Sequence, residues 1–152
     1  MQRLKDVVEY LNGIKNINSG GCGIAAYAMY KWLEKNNKLS EDTSIVFVEE
    51  EGMTLDWDED YIMQGNARGV SHVMLFHNNH FYDAWGKYET IYDCELLVEF
   101  DDIPIEFYII SNINEFMKNA LFGKDWESEW TPIFNRRKYL PKIERALGVV
   151  LN

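Results

Sequence analysis

Cys22, His72 and Asp83 are the side chains of this sequence whose types, order and surroundings could together do covalent chemistry. A thiol attacks a carbonyl as its thiolate. Thiol catalysis therefore needs a nucleophile, a base that takes or shares its proton, a group that orients the base, and donors for the oxyanion. Cys22 is the candidate nucleophile and His72 the candidate base. Asp83 would hold the second ring nitrogen and fix the tautomer. The backbone N–H of Cys22 is a natural oxyanion donor, and a side-chain amide from Asn16 or Asn18 could supply the second. Plainer readings stand beside these. A free cysteine is often just a small buried residue, and a lone strand histidine is often structural. Asp83 is harder to dismiss, because an apolar hairpin tolerates a carboxylate only where something pairs with it.

The cysteine is mounted by the stretch Asn16 to Lys35, NINSGGCGIAAYAMYKWLEK. Ser19, Gly20 and Gly21 let the chain bend sharply and leave space beside the sulfur. From Ile24 to Trp32 only Lys31 is charged, so the helix opening at Cys22 reads as buried on nearly every side. Lys31, Glu34, Lys35 and Lys38 form one late polar stripe, and Asn36 and Asn37 mark the stop. Cys22 falls in the first turn, where unpaired N–H groups and the helix dipole favour a thiolate.

The other two residues belong to a hairpin. Val70 to His77 and His80 to Ala84 flank Asn78-Asn79, and asparagine tolerates the positive φ of a two-residue turn. That loop sets His77 against His80, Phe76 against Phe81, Met74 against Asp83 and His72 against Trp85. His72, Met74, Asp83 and Trp85 then share one side of the sheet. His72 and Asp83 become diagonal neighbours at ~7–8 Å between backbones, which their side chains can span. A one-residue bulge would carry Asp83 off that side. Trp85 is expected to shield the His–Asp contact from water, and Gly86 to end the hairpin.

Around these, Leu4, Val7, Val8, Leu11 and Ile14 recur at helical spacing, a first helix ended near Gly13. Ile45 to Val48 reads as a strand. Glu49 to Asp60 is acidic, a solvated surface loop or a selector of basic substrate. Thr90 with Asp93 could cap a short helix carrying Leu96, Leu97 and Phe100, with an edge strand as the alternative. Ile105 to Ile110 is a further strand entered from Pro104. Asn112 with Glu115 caps a helix closed by Gly123, and Trp126 and Trp130 lie in a loop. Pro141 begins a last helix with Ile143 and Leu147 inward and Gly148 after it. Cys94 has no glycine lead-in and reads as structural. His77 and His80 straddle the hairpin tip without an obvious third ligand, and a zinc site from Cys22, His72 and Asp83 is conceivable. Neither outweighs the thiol reading, and no metal or cofactor is expected.

The 152 residues fit a single domain, 1–152, and 47% hydrophobic with 14% aromatic content argues for a packed globule over disorder. Two cysteines make no disulfide framework, and no apolar run suits a signal peptide or membrane span; a cytoplasmic protein is expected. A net charge of −10 argues against nucleic-acid binding and leaves one rival, an acidic inhibitor of a nucleic-acid-binding protein. Acid is uneven, however: Arg136, Arg137, Lys138, Lys142 and Arg145 give the last segment a positive surplus.

The order Cys, His, Asp, with the cysteine opening a buried helix, resembles the papain-like cysteine enzymes. SGGCGIAAYAMYKWL is similar to their nucleophile helix. SHVMLF followed by HFYDAWG is similar to their histidine and acidic strands, above all in compact bacterial and phage forms such as NlpC/P60 and transglutaminase-like proteins. The likeness covers roughly residues 16 to 86. It implies Cys22 as nucleophile, His72 as base, Asp83 as orienter and Asn16, six residues before the cysteine, as oxyanion donor. Glycine follows Cys22 where papain has an aromatic residue, and Asn16 stands where papain has glutamine. The expected fold is α+β, the Cys22 helix on a small antiparallel sheet with flanking helices. The expected function is a cysteine-dependent acyl hydrolase or transferase on a peptide or amide, working through a thioester. A catalytically silent papain-like binding domain is the alternative.

Overall fold

A computed structural model describes residues 1–18, 21–50, 72–94, 105–109 and 134–151, the side chains of 47, 49, 50 and 105–109 excepted. Among the described residues, three helices and five strands run in the order α1 (Leu4–Asn12), α2 (Cys22–Lys35), β1 (Ser44–Glu50), β2 (His72–His77), β3 (His80–Asp83), β4 (Gly86–Tyr88), β5 (Ile105–Ile109) and α3 (Arg136–Leu147). A 3₁₀ turn, Ile91–Asp93, follows β4. The strands form one antiparallel sheet in the order β4-β3-β2-β1-β5. The architecture is thus mixed helix and sheet, consistent with α+β. Among the described residues no helix is long and apolar enough to cross a membrane.

Strand alternation divides the core in two. Ile45, Val73, Leu75, Tyr82 and Ala84 join the apolar faces of the three helices in the larger cluster. Val46, Val48 and Met74 point the other way, where Ile91 and Cys94 cover them. α2 has the central place in the larger cluster, with Gly23 to Met29, Trp32 and Leu33 all buried. Two polar ties bind the helices: Tyr10 Oη donates to the Lys142 carbonyl at 3.2 Å, and Lys35 Nζ donates to the Gly148 carbonyl.

Gly21 precedes α2 for want of room. A Cβ there would lie 2.5 Å from the Ile17 carbonyl oxygen and 3.0 Å from the Phe134 ring. The space expected beside the sulfur is, at this residue, filled by Phe134; Ser19 and Gly20 lie outside the described residues.

The hairpin has the expected register: Phe76 pairs Phe81 and His77 pairs His80 around Asn78 and Asn79, whose φ values are +47° and +63°. The turn is clamped from the loop before β1. Asp42 accepts the N–H of Asn78 at 2.9 Å and of Asn79 at 2.7 Å. Asn78 Nδ2 donates to His77 Nε2, which leaves Nδ1 to carry the proton toward Thr43 Oγ1 at 2.7 Å. Burial holds His77 below its ordinary pKa despite the nearby Asp42 charge, which suits that neutral tautomer. His80 Nδ1 turns to the Asn78 carbonyl.

Two boundaries differ from expectation. Gly86, expected to end the hairpin, starts β4, because Asp83 folds the chain into a second tight turn. The last helix starts at Arg136, with Pro141 inside it. Asn135 Oδ1 accepts the Lys138 N–H at 3.1 Å, an N-cap that begins the helix one turn early. The expected edge strand or helix around Leu96–Phe100, the helix from Asn112, the Trp126–Trp130 loop and most of the acidic 49–60 segment lie outside the described residues.

Candidate active site

His72 opens β2 and Asp83 closes β3, on the face turned away from the body of α2. Their positions are diagonal, and the side chains close the gap: His72 Nε2 lies 3.0 Å from Asp83 Oδ2. Both residues are 1% exposed. His72 is the first residue of its strand, and Cys22 is the first of α2. The thiol lies near the ring: after burial, His72 is the chief influence on the Cys22 pKa, with smaller ones from the backbone N–H groups of Val73 and Gly23. Nε2 is engaged by Asp83, so Nδ1 is the nitrogen left for the sulfur. Cys22 itself is only partly buried and keeps a path to solvent.

The electrostatics follow from this chain of contacts. Burial pushes the Cys22 thiol up, but the hydrogen bond and charge of His72, with the two N–H groups, bring it below its ordinary value. Burial would lower His72, yet Asp83 and the cysteines hold its ring well above 6.5. Burial raises Asp83, and its hydrogen bonds, His72 first, carry it below 3.8. A thiolate beside an imidazolium backed by a carboxylate is the charge pattern these shifts favour.

Asp83 has more partners than the sequence suggested. Its Oδ1 accepts the N–H of Trp85 at 2.8 Å, the N–H of Gly86 at 3.1 Å and the Tyr88 hydroxyl at 3.0 Å. Its Oδ2 accepts the Cys94 S–H at 3.2 Å as well as the His72 contact. The Trp85 and Gly86 bonds make an Asx-type turn, and they overturn the expected role of Trp85. Trp85 lies beyond the end of β3 and is 44% exposed. Tyr88, Ile91 and Cys94 cover that face instead. The sequence did carry a hint of the turn, in the spacing of Asp83 and Gly86. Tyr88 follows from the second hairpin, which pairs it with Phe81 on the Asp83 face. Nothing local to Cys94 announces its place.

The chain matches no family model, no curated protein and no solved structure. What the site can do must be argued from its own atoms.

Asn16 stands in the turn before α2 with φ +62° and borders a pocket with Lys15, Asn135, Lys138 and Tyr139. No hydrogen bond among the described residues joins it to Cys22. Asn18 is the other amide considered, and its Oδ1 and Nδ2 are buried without a partner among the described residues. His72, Asp83 and Cys94 offer nitrogen, oxygen and sulfur atoms within 4.8 Å of one another, a donor set zinc accepts. Their closest separations, 3.0 and 3.2 Å, are those of hydrogen bonds between the ligands themselves. Around a tetrahedral ion the same atoms would spread to roughly 3.3–3.7 Å, from metal–ligand lengths of about 2.0–2.3 Å.

Proposed function

We propose that this protein is a cysteine-dependent acyl hydrolase or transferase of papain-like type, with Cys22 as nucleophile, His72 as base and Asp83 as orienter. One observation carries the reading: a single buried imidazole, held at Nε2 by a carboxylate, lies near a partly exposed thiol at a helix mouth.

The steps follow from those contacts. The Cys22 thiolate adds to the carbonyl carbon of an amide or ester, and the carbonyl oxygen takes the electron pair. Helix N–H groups beside the sulfur suit that oxyanion, and the unpartnered Asn18 amide is a second candidate donor. Collapse of the adduct expels the leaving group, which takes the proton from the His72 imidazolium, and a Cys22 thioester remains. Water or an amine then attacks the thioester. His72 takes the proton of that nucleophile, and the thiolate is released.

Chemical labelling tests this directly. Iodoacetamide at pH 6 should modify Cys22 well ahead of buried Cys94, and electrophilic acyl probes should be lost with Cys22→Ala. Slow labelling of both cysteines would favour a silent binding domain, and a Cys22→Ala protein that retains acyl transfer would refute the assignment.

A further inference from the structure

Two of the five donors on Asp83 come from side chains that the steps above leave unused, Cys94 and Tyr88. A carboxylate can rotate about its Cβ–Cγ bond unless both oxygens are held. Here Oδ1 is fixed by the Trp85 and Gly86 N–H groups and the Tyr88 hydroxyl, and Oδ2 by the Cys94 S–H beside His72. Packing alone does not call for a donor at position 94. Its cluster neighbours Val46, Val48, Met74 and Ile91 are aliphatic or thioether, and a buried cysteine is satisfied by such a setting. The thiol is aimed instead at the oxygen that holds the base.

We propose that Cys94 and Tyr88 are positioning residues for the His72 base, locking the Asp83 carboxylate so that Oδ2 cannot leave Nε2. This rests on the reading of Cys22 as a nucleophile activated by His72. Neither residue touches the reacting atoms; both act through Asp83. With one donor removed, the carboxylate is held less tightly, and the ring's orientation and tautomer are less firmly fixed. The depressed Asp83 carboxyl agrees with this dense set of donors, since burial alone would push it the other way.

The test uses the full chain with ¹⁵N-labelled histidine. It follows the low-field proton on His72 Nε2 and the rate at which iodoacetamide alkylates Cys22 at pH 6, mapped by peptide mass. In Cys94→Ala and Tyr88→Phe the low-field proton should broaden by exchange, and alkylation should slow about 3- to 10-fold, the range one hydrogen bond supports. Cys94→Ser restores a donor and should recover both signals. Tyr88→Phe keeps the ring and its packing, so it carries the test should Cys94→Ala not fold. A purely structural role would lower the melting temperature while leaving the proton and the rate unchanged, and that result overturns the proposal. A wild-type protein with neither a low-field proton nor fast Cys22 labelling would instead overturn the nucleophile reading, and this one with it.

Discussion

Replacing Asp83 by asparagine and by alanine should separate what the carboxylate does for stability from what it does for the thiol. Five donors converge on it, and the residue is 1% exposed, so solvent does little to soften their loss. Alanine strands the His72 ring, the Cys94 thiol and the Tyr88 hydroxyl together. Breaking a buried, hydrogen-bonded charge pair typically costs about 3–5 kcal/mol. That is a large share of the roughly 5–15 kcal/mol that holds a domain folded. Asparagine keeps a carbonyl oxygen for the turn donors and should cost only about 1–3 kcal/mol. Its NH₂ group then faces His72, so Nε2 must accept and the ring proton moves to Nδ1, pointing at the sulfur. Such a ring cannot take the thiol proton. With Cys22 back near an ordinary thiol pKa of ~8.5, under about 1% is thiolate at pH 6, and alkylation should fall about tenfold for each unit by which the thiol pKa rises. Urea unfolding and timed iodoacetamide labelling read the two quantities. Wild-type labelling in Asp83→Asn, or a loss under about 1 kcal/mol in Asp83→Ala, would refute the argument.

Stability should also depend on pH in a stated direction. Asp83, held below 3.8, adds stability above that value and loses it as pH falls through its lower folded pKa. His72, held well above 6.5, adds stability in full below 6.5 and loses it as pH rises through its folded pKa. Urea midpoints taken from pH 2 to 10 should therefore peak between these limits, and the acid loss should be shallower in Asp83→Ala. Gly21→Ala should cost about 1–3 kcal/mol, because backbone as well as the Phe134 ring must yield, and thermal melts would read it. Gly148→Ala should cost about 1 kcal/mol: φ is +67° there, and a Cβ would displace the Lys35 amine.

The parts legible in the sequence were those set by local rules. α2 runs from Cys22 to Lys35 as its apolar run implied, and the Asn78-Asn79 turn fixed which residues face each other. That register puts His72 and Asp83 on one diagonal. The second turn is hidden because one residue can serve two ends: Asp83 meets His72 through one oxygen, while its other oxygen folds residues 83–86. Pro141 was read as a start, since proline favours a first turn, but the Asn135 cap set the boundary. Cys94 could not have been found by spacing. Its S–H reaches Asp83 only because the chain after β4 folds back over the sheet, a contact of tertiary packing with no periodicity to betray it.

The small loop of residues 40–43 is bonded to the hairpin tip, at the other end of β2 from His72, and its setting bears on the chemistry proposed there. Asp42 and Thr43 hold the hairpin tip in one setting, and the register set there decides, further along the ladder, whether imidazole and carboxylate meet or look to opposite sides of the sheet. Alignment is all or none. Change at the tip would therefore silence the chemistry without altering a single atom of its machinery, and a screen confined to the cleft would overlook the cause.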